Sequence, residues 1–406
     1  MDTTENQHPK EALFYGLARM LERASFFGFR ALMVVYMIGE TFNMETNQAL
    51  YLYGWFTALL IFFKIMGGIF GDFLFGNRQA IMIGGILQAI GAFSFCIPSM
   101  IGLYLGGFFV IMGSGLYSSN IVAELGKSYL DRPKLLDAGF TWFYLAVNLG
   151  AFLGVWFITS MQGQYGYQVG FIVSGVLILL SLIPMLYAKR SKLDATPHNP
   201  FTLGMRIVKV LLALVAVTLF WAVYELSSWG INFLGTEFVE ELGVLPENIW
   251  TSLNSILVLL ICLLAAIVWS YRFSTSFFKL TVGFVLGAIA FGIFLFIPDA
   301  PSEQHTNIFL FAFFILCAAE VFVAPVLHSV LTRYGNPKFL ATLIGLTALP
   351  SLVNRFIGFL SERLGEHPDA GLEYGLIFMV GFSALLIVFL LLTKRPTKDQ
   401  QDKTFL

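Results

Sequence analysis

The sequence predicts an all-α membrane protein with twelve transmembrane helices, and three observations predict it. Hydrophobic residues make up 57% of the chain and charged residues only 12%, with a mean hydropathy of +0.79. That lies far outside the range of soluble globular proteins. A span needs about 20 mainly apolar residues. Twelve such stretches lie near 12–39, 50–72, 79–97, 101–124, 138–160, 167–187, 204–235, 249–271, 277–297, 307–332, 339–362 and 371–393. Finally, lysine and arginine alternate between successive junctions as twelve spans require.

The basic junctions carry Arg78; Lys127, Arg132 and Lys134; Lys189, Arg190, Lys192, Arg206 and Lys209; Arg272 and Lys279; Arg333 and Lys338; and the tail with Lys394, Arg395, Lys398 and Lys403. The opposite loops carry Glu40, Glu45, Glu237, Glu240, Glu241, Glu247, Asp299 and Glu303, with Arg363 as their one basic residue. The positive-inside rule then puts both termini in the cytoplasm. The polar segment Met1 to Glu11 and the long, charged first span do not form a cleavable signal, so the segment is expected to stay in the mature chain. Cys96, Cys262 and Cys317 show no disulfide or metal spacing and read as core residues. The short outer loops and the lack of an Asn-x-Ser/Thr sequon favour a bacterial inner membrane.

The first helix carries the most information. In Arg19-Met-Leu-Glu22-Arg23-Ala-Ser-Phe-Phe-Gly-Phe-Arg30 the residues Arg19, Glu22, Arg23, Phe26 and Arg30 fall on one narrow stripe at 100° per residue. Ionised groups at this depth are costly unless they pair or face water, so the stripe is expected to line a wet cavity. The second helix adds Lys64 and ends in GGIFGDFLFGNR. There the glycines Gly68 and Gly76 permit close packing, and Asp72 and Arg78 can pair with neighbouring helix ends. The link from Lys189 to Met205, with Pro197 and Pro200, divides six spans from six. It predicts an N-terminal bundle over 1–190, a linker over 191–204 and a C-terminal bundle over 205–406.

This six-plus-six plan is similar to that of the major facilitator transporters. The first-helix run Glu22-Arg23-Ala-Ser25-Phe-Phe-Gly28-Phe-Arg30 resembles the signature of the proton-dependent oligopeptide transporter family. Phe143-Tyr144, Asn148 and Gly150 in helix five, Phe220-Trp221-Ala222 with Glu225 in helix seven, Glu320 before Pro325 in helix ten, and Asn354 near Gly358 extend the resemblance over nearly the whole chain. There are departures too. Arg19 stands where the family usually has a second glutamate, Ser118 where a helix-four lysine is common, and Phe26, Phe27 and Leu226 where polar side chains are common. Lys64 is an added charge, and the link has no room for the two extra helices that bacterial members often carry.

The resemblance implies proton-coupled transport of di- or tripeptides, or of peptide-like solutes, by alternating access. Arg30 would hold a peptide carboxylate, and with Glu225 on the facing helix seven it would form an outer gate. Asn148 and Asn254 would grip the peptide backbone or amino end, or else join helices, and Phe27 and Trp221 would line the substrate site. Glu22, Arg23 and Glu320 would couple protons, and Gly68, Asp72, Gly76 and Arg78 would form the conformational motif. Glu320 lies about 13 residues from either end of helix ten, which puts it at the midplane. Lys64 either takes over part of the missing lysine's role, with Glu320 or Glu22 as its partner, or snorkels to the surface. Arg355 could pair across the halves or snorkel, and His328 reads as a packed interfacial residue.

The competing readings are an exporter of another small organic solute, drug-like or siderophore-like, and a non-transporting membrane sensor. Enzyme chemistry is not expected, since no nucleotide loop, metal cluster or nucleophile triad is present. No cofactor, metal or nucleic-acid partner is implied. The expected partners are the solute, protons and the lipid bilayer, and the expected state is a monomer.

Overall fold

The structure is a computed structural model that describes residues 7–189, 202–298, 301–349, 351–352 and 370–392. Its helices are α1 (Lys10–Ile38), α2 (Thr46–Phe70), α3 (Asn77–Ser94), α4 (Met100–Ser128), α5 (Leu136–Tyr165), α6 (Tyr167–Tyr187), α7 (Leu203–Thr236), α8 (Glu247–Tyr271), α9 (Ser276–Phe294), α10 (Thr306–Tyr334), α11 (Leu340–Gly345) and α12 (Ala370–Leu392). No strand occurs among the described residues. A helix satisfies its backbone hydrogen bonds internally, which a bilayer interior demands. Nine of these helical segments are long and apolar enough to cross a membrane. The ionised residues of α1 and the polar start of α3, Asn77-Arg78-Gln79, keep those two below that mark. Of the eleventh expected span, only the start over Leu340–Ala348 is structurally continuous in the described residues. Asn354, Arg355, Gly358 and Arg363 lie outside them.

The chain divides into two compact units. The first comprises Met1–Pro197 with Leu331–Ala348, and the second His198–Val330 with Leu349–Leu406. Within the first unit α1 packs on α5 and α6, α2 on α4, and α3 on α4 and α6. Small residues set the closest of these approaches, as is usual where no hydrophobic drive separates helices from lipid. A Cβ at Gly150 or Gly154 of α5 would overlap the carbonyls of Met20 and Ala24 on α1, and one at Gly67 of α2 would overlap Gly115 on α4. Between α2 and α3 the chain makes a π turn, Gly71–Phe75, and leaves it through Gly76 at φ +78°. That conformation strongly favours glycine.

Three helix ends in this unit are closed by side chains. Ser99 Oγ accepts from Gly102 N (3.1 Å) at the start of α4. Arg78 donates to the carbonyls of Met185 (2.7 Å) and Ala188 (2.8 Å) at the end of α6. Asp72 Oδ2 accepts from the amide (2.7 Å) and hydroxyl (2.9 Å) of Thr342 in the first turn of α11. A carboxylate at a helix start and a guanidinium at a helix end both match the helix dipole. The second unit is held by aromatic packing: Phe220 of α7 against Phe284 of α9 (5.8 Å), and Phe284 against Phe382 of α12 (4.8 Å).

Candidate functional site

The charged stripe of α1 exists, and its lower part is enclosed by protein rather than lining open space. Glu22 is fully buried, and Arg19 and Arg23 are each 8% exposed. Spacings of one and three residues bring both guanidiniums to the same carboxylate. Arg19 Nη1 donates to Glu22 Oε2 (2.9 Å), and Arg23 binds the carboxylate in a fork, through Nε to Oε2 (2.6 Å) and Nη2 to Oε1. Helix α4 supplies the outer contacts. Ser118 Oγ accepts from Arg19 (3.0 Å) and Ser114 Oγ from Arg23 (3.5 Å), one helical turn apart on the same face. The Phe26 ring lies 4.3 Å from the Arg23 guanidinium carbon. With two arginines on one carboxylate, the trio carries a net charge of +1.

Higher on the stripe, Arg30 is half-buried and donates through Nε (3.0 Å) and Nη2 to the Tyr53 hydroxyl of α2. Its guanidinium also lies over the rings of Phe26 (5.7 Å) and Phe27 (5.8 Å). Lys64, further along α2, is half-buried, and its backbone carbonyl accepts from Ser119 (2.7 Å). Glu22, a partner expected for the Lys64 ammonium, is instead held between Arg19 and Arg23. Those two lie on its own helix and reach it without crossing to α2. Asn148 on α5 is half-buried and donates to its own helix at the Tyr144 carbonyl (2.9 Å).

At the basic end of the unit, Asp72 also accepts from Asn77 Nδ2 (3.0 Å), which donates to Asn120 Oδ1 as well (2.7 Å). Lys127 donates to Asn77 Oδ1. A Cβ at Gly68 would overlap the Ala341 carbonyl. The four residues Gly68, Asp72, Gly76 and Arg78 thus all sit where helices meet. In the second unit Glu320 is buried on α10. Trp221 packs edge-on against Phe220 (5.8 Å) and Tyr224 (5.3 Å). Glu225 is exposed, and Asn254 accepts from Cys317 Sγ (3.3 Å). His328 is half-buried on α10.

Sequence reasoning missed Tyr53, Ser114, Asn77 and Lys127. Ser114 and Ser118 at a four-residue spacing were a readable signal for a polar face on α4. Tyr53 had none, because an aromatic hydroxyl near a span end is common at membrane interfaces.

The profile of the POT family matches residues 78–202. Over that stretch the chain is similar to the POT family. Among curated relatives, the dipeptide and tripeptide permease A of Pectobacterium carotovorum subsp. carotovorum (strain PC1) is 27% identical over 231 residues, which are 56% of this chain and 45% of the permease. The matched stretch thus spans about half the length of such relatives. Among solved structures, a POT family transporter in complex with a thioalcohol conjugated peptide aligns with a TM-score of 0.63 at 18% identity, covering 96% of this chain and 97% of that one. The major facilitator transporter FucP in its outward conformation aligns at 0.67 and 16% identity, covering 93% and 98%. The fold is that of twelve-helix major facilitator proteins, and the chain is a multi-pass membrane protein.

Proposed function

We propose that this chain is a proton-coupled secondary transporter of di- or tripeptides or peptide-like solutes. It works by alternating access in the bacterial inner membrane, with both termini cytoplasmic and as a monomer. The observation that carries the reading is Arg30. A half-buried guanidinium within a span, contacted by the Tyr53 phenol and the rings of Phe26 and Phe27, keeps donors to offer a carboxylate. Its planar fork suits that group. Permease relatives act on dipeptides and tripeptides, and their cargo carries such a carboxylate at one end. Glu320, the buried carboxylate of the second unit, is the proposed proton site. Arg30 and Glu225 are the proposed gate residues, and Asn148, Asn254, Phe27 and Trp221 the proposed substrate contacts.

The test is uptake of a labelled dipeptide by the purified protein in liposomes, with and without an inward proton gradient. Uptake should depend on the gradient, and Arg30→Ala should reduce it at least a hundredfold while the protein keeps its melting temperature within a few degrees. Normal uptake by the variant would remove Arg30 from the site. Equal uptake with and without the gradient would remove proton coupling.

A further inference from the structure

The Arg30 to Tyr53 contact fixes how α1 and α2 run past each other, and the register places Lys64. Arg19 and Arg30 are eleven residues apart on α1, as are Tyr53 and Lys64 on α2. Eleven residues at 100° return to within about 20° of the starting face, after roughly 16 Å of axial rise. The two helices are antiparallel consecutive spans, so descending from the Arg30–Tyr53 contact reaches Arg19 on one helix and Lys64 on the other. Lys64 accordingly lies in the field of Arg19 and Arg23.

The apolar face of α2 points the other way. Tyr51, Trp55, Leu59 and Phe62 are 66%, 54%, 40% and 53% exposed. At 100° per residue they centre about 180° from the Tyr53–Lys64 stripe. Lys64 therefore stands on the face that meets the charged stripe of α1, not on the lipid face. Among the described residues its ammonium makes no ion pair or hydrogen bond, since Glu22 is taken by Arg19 and Arg23. Counting Arg19, Arg23 and Lys64 against Glu22 leaves a net +2 at this level. Surplus cations at such depth call for a counter-anion.

We propose that Lys64 binds a second anionic group of the transported solute, at the end remote from the carboxylate held by Arg30. The inference rests on the peptide reading above and names the substrate class. The dimensions fit an acidic side chain at the first position of a dipeptide. Two extended residues span about 7 Å and a glutamate side chain adds a few more. The lysine stem, about 6 Å long, covers the rest of the roughly 16 Å between levels.

The test is competition by unlabelled Ala-Ala, Glu-Ala, Ala-Glu and Lys-Ala against uptake of labelled Ala-Ala, in liposomes containing the wild-type chain, Lys64→Met or Lys64→Arg. Glu-Ala should compete at concentrations about tenfold below Ala-Ala, with Ala-Glu weaker than Glu-Ala and Lys-Ala weakest. Lys64→Met should bring Glu-Ala within twofold of Ala-Ala while Ala-Ala uptake persists, and Lys64→Arg should keep most of the preference. Equal competition by all four peptides, or a Glu-Ala preference that survives Lys64→Met, overturns the proposal and leaves the peptide reading intact. If the folded wild-type protein takes up no peptide, both readings fall.

Discussion

Each unit buries a carboxylate on a long helix, Glu22 on α1 and Glu320 on α10. In the first, Glu22 is outnumbered by cations and clamped by two guanidiniums from its own helix. In the second, Glu320 is buried on α10, a helix that contains Pro325. A carboxylate held by two arginines has little chance to take up a proton, because protonation would strand both cations. The proposed division of labour puts charge recognition in the first unit and proton exchange in the second.

The largest expected effect comes from neutralising the clamp. Glu22→Gln leaves Arg19 and Arg23 buried without a counter-charge and should destabilise the protein by about 3–5 kcal/mol. Detergent-solubilised variant should melt well below wild type or fail to accumulate. A variant that is stable but uncoupled would place proton exchange on Glu22 and erase the contrast between units. Glu320→Gln should do the reverse, keeping melting temperature near wild type and solute exchange within a few-fold while gradient-driven uptake disappears. If gradient-driven uptake survives, the second unit loses its assigned task.

The smallest effect lies at the first unit's edge, where His8 Nδ1 meets the Tyr129 hydroxyl (2.7 Å). Burial, and then the charge of Arg132, lower the His8 pKa from its ordinary 6.5. Burial raises that of Tyr129. A base whose folded pKa is depressed stabilises the fold fully above its unfolded pKa, and that stability is lost as pH falls through the folded value. Lowering pH from 7 through 6 should therefore reduce the melting temperature by a degree or two. His8→Gln should flatten that dependence, and an unchanged slope would rule the contact out as its source.

Much of this was legible in the sequence. Apolar run length and the alternation of Lys and Arg depend only on composition, so the spans could be counted. The face shared by Arg19, Glu22, Arg23 and Arg30 follows from helical geometry alone. What could not be read was pairing between helices. The Tyr53 contact to Arg30 depends on how far α2 slides along α1, which no local pattern encodes. The grouping of Leu331–Ala348 with the first unit brings together Asp72 and Thr342, which are 270 positions apart. The clamp was half visible: its members were named, but Glu22 was offered to Lys64 when nearer cations on its own helix had already claimed it.

That clamp also bears on how the protein is made. Synthesis delivers the N-terminal spans first, so α1 must enter the bilayer before Ser114 and Ser118 of α4, or the glycines of α5, exist. Three arginines and a glutamate entering as separate ions would each weigh against insertion by a few kcal/mol. Because the contacts of Arg19 and Arg23 to Glu22 lie within a single helix, the newborn span brings its own neutralising partner. Arg30, whose partner Tyr53 lies on α2, still has to wait for the next helix.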